Sequence, residues 1–552
     1  MKKIKNTNKA ELTLLIFSLA FLLIAVILPM ALLFGKAFSA DDGTFVGLAN
    51  FQEYFSSPNL VSSFWNSLAV STLVAAVTSL LSFTYAYSLT RTDIPLKKFF
   101  RFTAMLPLFA PSMMFGIALI YLIGNKGLLT MAGLKLPLYG AFGIIVSEII
   151  YTFPQAVLIM YVTLSYSDNR LYEAARVMGA GSARIFRTIT VPGAKFGIIS
   201  AFLVSFTLCF SDFGAPKIVG GNYNVLATDI YKQIIGQQNF KMGAVVGILL
   251  MIPAIVMFIT ERVTSSENNI TVSSRSMSYR IIPDKRRDLA LTSFCAAVSF
   301  VIMLLFGTVL MASLIKAWPY NMELTLANFT VDSPATGGIS SFKNSIITAV
   351  LSAVLGTAFV FVNAWLIEKV RGYKLLKQID YLFSIVPLAL PGLSIGLAFI
   401  FFFNMENNPF NCLYGTIFIL ILANMVHFYS VPFVTFTSAL KKLDREIESV
   451  SESMSVPSYK TFFKVTVPMC RDSIFEIVVY FFVNSMVTIS AVVFLYPADF
   501  KLASVAIVNM EDAGDIASAS ALSILVVFIN VAVKLGYEYF FNNRKVVRNN
   551  AV

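Results

Sequence analysis

Few residues in this 552-residue sequence could do covalent chemistry. There is one histidine, His427, and there are four cysteines, Cys209, Cys295, Cys412 and Cys470, none of them in CxxC spacing. A Ser–His–Asp relay would have to rest on His427 alone, and no GxSxG, HExxH or GxxxxGK[ST] pattern accompanies it. The chain therefore has no phosphate-cradling loop and no zinc spacing, and the cysteines read as small buried hydrophobes. His427 falls inside an apolar run, where it reads as a packed or path-lining intramembrane group. Asp212, Glu511, Asp512 and Asp515 fall at the ends of apolar runs and read as solvated span ends. Ser211-Asp212-Phe213-Gly214 is also a candidate for part of an outer gate or of a surface for a binding protein. These carboxylates would repel an anionic cargo, which argues against their ligating one, and they gain a role only if the cargo is ferric iron.

The elements that must hold these residues are set by composition. Hydrophobic residues make up 57% of the chain and charged residues 13%, with mean hydropathy +0.76. Soluble globular chains carry roughly 25% charged residues, so most of this chain must face lipid. Disorder, a collagen-like fibre and a disulfide-stapled scaffold are excluded. Twelve apolar windows of membrane-spanning length fall near 11–35, 64–90, 100–123, 139–165, 194–214 and 241–260, then 289–315, 342–367, 378–404, 413–440, 473–498 and 516–540. The first, behind Lys2, Lys3, Lys5 and Lys9, is too long for a cleaved signal and reads as a retained span. Lys and Arg crowd alternate connections (Arg91 to Arg101, Arg170 to Lys195, Arg262 to Arg287, Lys369 to Lys377, Lys441 to Arg471, Lys534 to Arg548), which predicts both termini inside. The net charge of +12 is thereby explained by inward loops on anionic lipid, without nucleic acid.

The sequence also repeats itself. Leu48-Ala49-Asn50-Phe51 recurs as Leu326-Ala327-Asn328-Phe329, and Ser63-Phe64-Trp65-Asn66-Ser67 as Ser341-Phe342-Lys343-Asn344-Ser345. Pro107 and Pro111 recur as Pro387 and Pro391, Pro154 as Pro432, and Ile189-Thr190-Val191-Pro192 as Val465-Thr466-Val467-Pro468. Two six-span copies enter the membrane with the same orientation, residues 1–260 and 289–552, joined by a Ser-rich linker at 261–288. The parallel relation puts a substrate path between them. Pro107, Pro111, Pro387 and Pro391 interrupt spans, a break tolerated where backbone lines a cavity.

Between the fourth and fifth windows, residues 171–192 read as a helix, a turn at Gly179 and Gly181, and a second helix capped by Ser182 that runs to about Thr190. The pattern Glu173-Ala174-Ala175, Gly179, Ile189 and Pro192 resembles the EAA loop of ABC importer permeases. The resemblance implies an all-α membrane protein of the MetI-like fold with about twelve transmembrane helices in two parallel repeats. It implies a coupling loop that docks on an ATPase, two copies of that ATPase subunit carrying ATP-Mg, an extracytoplasmic substrate-binding protein, and no cofactor or catalysis in this chain. The second copy, 447–468, is degenerate: Ser449, Val450 and Ser451 replace Glu-Ala-Ala, Ser455 replaces Gly179, Pro468 is kept, and Glu448, one place early, is a candidate substitute carboxylate. Within the superfamily the fused chain is similar to the ferric-iron and 2-aminoethylphosphonate branch, and stretches 211–247 and 488–521 are similar to the 2-aminoethylphosphonate type. The expectation is an importer permease of the bacterial cytoplasmic membrane that moves a small solute by alternating access, 2-aminoethylphosphonate in first place and ferric iron next. An ion-coupled secondary transporter is the alternative, and it would need intramembrane charges.

Overall fold

A computed structural model of the chain describes residues 2–267, 279–333, 336–370, 372–444 and 446–549. The centre of the expected linker, with Arg275, and the basic residues Arg371 and Arg445 lie outside the described residues. The linker's ends are helical: one helix runs on to Glu267 and the next starts at Lys285.

Among the described residues nine helices are long and apolar enough to cross a membrane, and eleven spans result if two bent pairs each count as one. The eleventh expected span, 473–498, is helical only over Arg471–Val487. In the first half the corresponding helix merges with the loop before it, giving Ser182–Ser211. In the second, Cys470 (φ −93°, ψ 7°) separates Val467–Met469 from Arg471–Val487. Two short antiparallel ladders, Ile315–Ala317 with Asn321–Leu324 and Asp332–Ser333 with Gly337–Gly338, are the strands in an otherwise helical fold. Of the cysteines, Cys412 is exposed, against expectation, because it sits in the loop after Gly392–Phe403; the other three are buried.

The repeated motifs are structural ties. Asn50 donates to the carbonyls of Ala37 and Ser39 (both 2.9 Å), and Asn328 to those of Ser313 and Ile315 (3.0 and 2.9 Å). Each satisfies carbonyls orphaned where the first helix of its half ends. Asn66 donates to Asn224 O (3.0 Å) and Asn344 to Lys501 O (3.1 Å). Ser67 and Ser345 accept the first amides of Leu226–Tyr231 and Ala503–Asp512, each at 2.7 Å. Prolines reshape the helices in a regular way as well. π-Helical turns at Leu23–Ile27, Phe186–Thr190 and Phe462–Thr466 each precede a proline by two residues, namely Pro29, Pro192 and Pro468. The missing proline N–H removes an i→i−4 bond, and the helix widens there.

The halves embrace. Leu28–Ala37 packs on Phe240–Glu267 of its own half and on Gly392–Phe403 of the other. Lys285–Leu314 likewise packs on Ile516–Asn549 and on Ser112–Ile123. Buried polar ties hold each crossing. Ser18 donates to Asp380, whose second oxygen accepts from Asn363 (3.0 Å), and Asn363 also meets Tyr429 OH (2.6 Å). On the opposite crossing Ser299 Oγ pairs with Tyr85 OH (3.0 Å), which donates to Phe100 O (2.8 Å).

Candidate functional site

The breaks at the repeated prolines build the space between the halves. Lys97–Met105 ends in a 3₁₀ turn, Leu106–Phe109, and a helix restarts at Ser112; Lys374–Ile385 ends in Val386–Ala389, and Gly392–Phe403 follows at a bend of 116°. Each restart touches the end of a later helix through a serine–glycine contact, with the two residues exchanged between halves. A Cβ on Gly214 would collide with Ser112 Oγ, and one on Gly392 with Ser490 Oγ.

A cavity of about 510 Å³ opens at this junction. The first half contributes Ser112, Tyr151, Gln155, Thr207 and Asp212; the second contributes Pro387, Pro391, His427, Tyr480, Asn484 and Thr488. Four of the six predicted path residues are thus brought together. Pro107 and Pro111 are not on the wall, and both are buried. Asp212 is not a solvated span end. Its carboxylate accepts from Ser112 Oγ (2.8 Å) and from Ala215 N (3.0 Å), fixing the chain as it leaves the helix. Its counterpart at the end of the second-half helix is Thr488, with nearly the same backbone (φ −71°, ψ 135° against φ −72°, ψ 140°). His427 Nδ1 is buried on the wall with no hydrogen-bond partner among the described residues. Glu148 was not anticipated. It lies within Ala141–Ser165, is 0% exposed, and faces Asp212. A glutamate in the middle of a span was the signal that could have found it. At the far end of the bundle Asp512 pairs with Lys217 across the halves (2.8 Å).

The predicted loop is a helical hairpin. Asp168, not a residue of the 171–192 stretch, caps Asn169–Val177 by accepting Arg170 N (3.1 Å). Ala180 N bonds Ala175 O (2.9 Å) around Gly179 at φ +77°, a conformation cheap for glycine. Ser182 is the first residue of the second arm rather than its cap; Gly181 precedes it and no side chain caps the turn. Tyr172, Ala175 and Ile185, with Ile189 against them, form the hairpin's own small core. Glu173, Ala174, Gly179 and Pro192 are exposed, and so is the apex Met178, at 79%. Glu173 accepts from Asn169 Nδ2 (2.7 Å), and Asn169 Oδ1 accepts from Arg280 N (3.2 Å), so the C-terminal part of the linker braces this hairpin.

The second hairpin keeps the path. Val456 N bonds Ser451 O (2.9 Å) around Ser455 at φ +56°, and Met454 is 71% exposed at the apex. Ser455 and Pro468 are exposed and Ser449 is half-buried. Glu448 does not replace Glu173. It points inward, in the register of Tyr172, and pairs with Lys369 (3.3 Å).

The family model for the binding-protein-dependent transport system inner membrane component matches residues 81–264 and 370–546, once in each half. The chain belongs to this family. It is therefore a multi-pass inner-membrane permease of the ABC importer type, and its relatives are transport permeases. The ferric transport system permease protein FbpB of Actinobacillus pleuropneumoniae is 24% identical over 502 residues, covering 88% of this chain and 72% of that one. The Fe(3+)-transport system permease protein FbpB 2 of Haemophilus influenzae is 24% identical, covering 95% and 99%. A solved bacterial ABC transporter involved in alginate import is 18% identical at a TM-score of 0.41, covering 48% of this permease and 99% of that chain.

Proposed function

We propose that this permease is the membrane subunit of an ATP-driven importer that carries ferric iron by alternating access. The observation that carries the reading is the pair of hairpins of one backbone path on a two-half bundle with a polar cavity between the halves. Two ATPase subunits, which hold the ATP-Mg, dock on the hairpins: through Glu173, Ala174, Gly179 and Pro192 on the first, and through Ser449, Ser455 and Pro468 on the second. Ala175, Ile189 and Glu448 act from beneath, by packing. A loaded binding protein docks at the far end. The hairpins, the basic loops and both termini face the cytoplasm, against anionic lipid. Nucleotide-driven approach of the hairpins rocks the halves and reorients the cavity. The chain binds no cofactor and performs no covalent step.

Iron is preferred because ferric permeases match nearly the whole length and because Asp212 gives the cavity a carboxylate. The relatives give the 2-aminoethylphosphonate expectation no support, and a carboxylate wall disfavours a phosphonate group. One observation favours the ion-coupled alternative: Glu148 is a fully buried carboxyl in a span. Vesicles containing the permease, its neighbouring ATPase and its binding protein separate the two. ATP-dependent uptake of radiolabelled ferric iron is expected; uptake on an ion gradient without the ATPase overturns the proposal.

A further inference from the structure

The cavity wall is chemically lopsided. Asp212 lies on the first-half side, where its pseudo-symmetric partner Thr488 is neutral. Behind Asp212 stands Glu148, whose carboxyl feels the Asp212 charge and has no hydrogen-bond partner among the described residues. A fully buried carboxyl without a donor is costly unless a cation or proton compensates it. Tyr151, one helical turn beyond Glu148, brings a phenol to the wall, and the second half answers with Tyr480 and the unpartnered imidazole of His427. Carboxylate and phenol oxygens suit a hard, highly charged cation.

Among the described residues no three His, Cys, Asp or Glu side chains lie close enough to hold a metal ion. A resident metal would need such a set. A cargo ion must be held weakly enough to leave. We propose that Asp212, backed by Glu148 and faced by Tyr151, Tyr480 and His427, forms a transient coordination site for a hard trivalent cation inside the permease. The site rests on the ferric reading for its cargo, but its existence can be tested without transport. Its carboxylates come from one half only, so the cation leans on the first-half wall.

The test uses the purified full-length permease in nanodiscs, with Tb³⁺ as the hard trivalent probe and emission sensitised by nearby tyrosine as the readout. Wild type is expected to show saturable emission that Ga³⁺ competes away and excess Mg²⁺ does not. Asp212→Asn is expected to weaken Tb³⁺ at least as much as losing an outer-shell partner weakens a metal site, roughly 10- to 100-fold. Glu148→Gln is expected to weaken it less, and Tyr151→Phe to dim the emission. Glu511→Gln, outside the cavity wall, is expected to behave as wild type. Asp212→Glu, which keeps the charge, is expected to retain binding and guards against a folding artefact. Tb³⁺ binding unchanged in both Asp212→Asn and Glu148→Gln overturns the site. Iron uptake run in parallel separates the two claims. Asp212-dependent Tb³⁺ binding without iron uptake removes the cargo and leaves the site; iron uptake with indifferent Asp212→Asn removes the site and leaves the importer.

Discussion

Both hairpins turn around a left-handed residue, Gly179 or Ser455, and both run into a π-helical turn before a Val-Pro pair. Beneath both lies a buried cation at the end of the preceding long helix, Arg91 in the first half and Lys369 in the second. The partners of that cation differ. The Arg91 guanidinium lies over Tyr279 (4.1 Å) and Tyr172 (5.5 Å) and donates to Leu164 O (2.6 Å). Lys369 pairs with Glu448 and donates to Leu443 O (3.0 Å). A planar, weakly hydrated guanidinium can be satisfied by ring faces, whereas an ammonium needs an anion. So when the cation changed type, its neighbour at the position of Tyr172 became a carboxylate. Duplicate halves keep the backbone and the location of the charge, and let the chemistry around it drift as a unit.

The largest effect should come from breaking that unit. Glu448→Ala leaves an ammonium whose side chain is only 4% exposed. Removing one member of a buried pair costs about 3–5 kcal/mol. The lower end is expected here, because the Glu448 side chain is 19% exposed and Lys369 keeps its carbonyl bond. Thermal unfolding in detergent reads this. Lys369→Arg combined with Glu448→Tyr rebuilds the first-half chemistry and should recover part of the loss. No recovery would mean that the two anchors are not equivalent.

A second difference lies at the far end. Asp229 in Leu226–Tyr231 occupies the register held by Ala506 in Ala503–Asp512. Burial pushes the Asp229 carboxyl up to about 6, against help from Ser63 and Lys232. The folded state thus holds this proton more tightly than the unfolded chain does. The contribution of Asp229 is therefore best below about pH 4, declines as pH rises to about 6, and stays reduced above, by roughly 2–3 kcal/mol. Asp229→Ala, which copies the second half, should flatten that decline and raise stability at neutral pH. A wild-type stability that does not fall between pH 4 and 6 relative to Asp229→Ala contradicts it. The exchanged serine–glycine contact gives a smaller effect. Gly392→Ser should cost about 1–3 kcal/mol by overpacking against Ser490. Adding Ser490→Gly copies the Ser112–Gly214 arrangement and should restore stability; additive losses in the double variant would break the symmetry argument.

What the sequence made legible follows from which interactions are local. The spans, the repeat and the first hairpin were readable because apolar length, a recurring Asn or Pro, and a glycine turn act within a few residues. The eleventh window, 473–498, stops being helical at Val487, where Thr488 turns extended (φ −72°, ψ 140°) inside a stretch that stays apolar, a matter of backbone angles and not of hydropathy. Asp212 was misplaced as solvated because its partners, Ser112 and Glu148, come from helices far away in the chain. Glu448 was misread for the same reason: one residue of helical offset separates an outward carboxylate from one aimed at Lys369, and only the fold reveals that cation. Glu148 and Asp380 drew no expectation, although each is a carboxyl in an apolar run, the kind of residue a bilayer tolerates only with a purpose.

The smallest prediction isolates the turn from everything around it. Gly179 and Ser455 sit at φ +77° and +56°, and each lies between the same two backbone bonds. A side chain in this region costs about 1–2 kcal/mol relative to glycine. Ser455 is exposed, so Ser455→Gly should stabilise the second hairpin, by up to about 1 kcal/mol once glycine's greater freedom in the unfolded chain is charged against it. Gly179→Ala should cost a similar amount in the first. Hydrogen exchange of the Val456 and Ala180 amides reads each hairpin separately. If Ser455→Gly slows exchange at Val456 and leaves Ala180 alone, the hairpins are independent units of stability, and the second is the one that carries strain. If both amides respond, the hairpins are already coupled through the bundle without any ATPase between them.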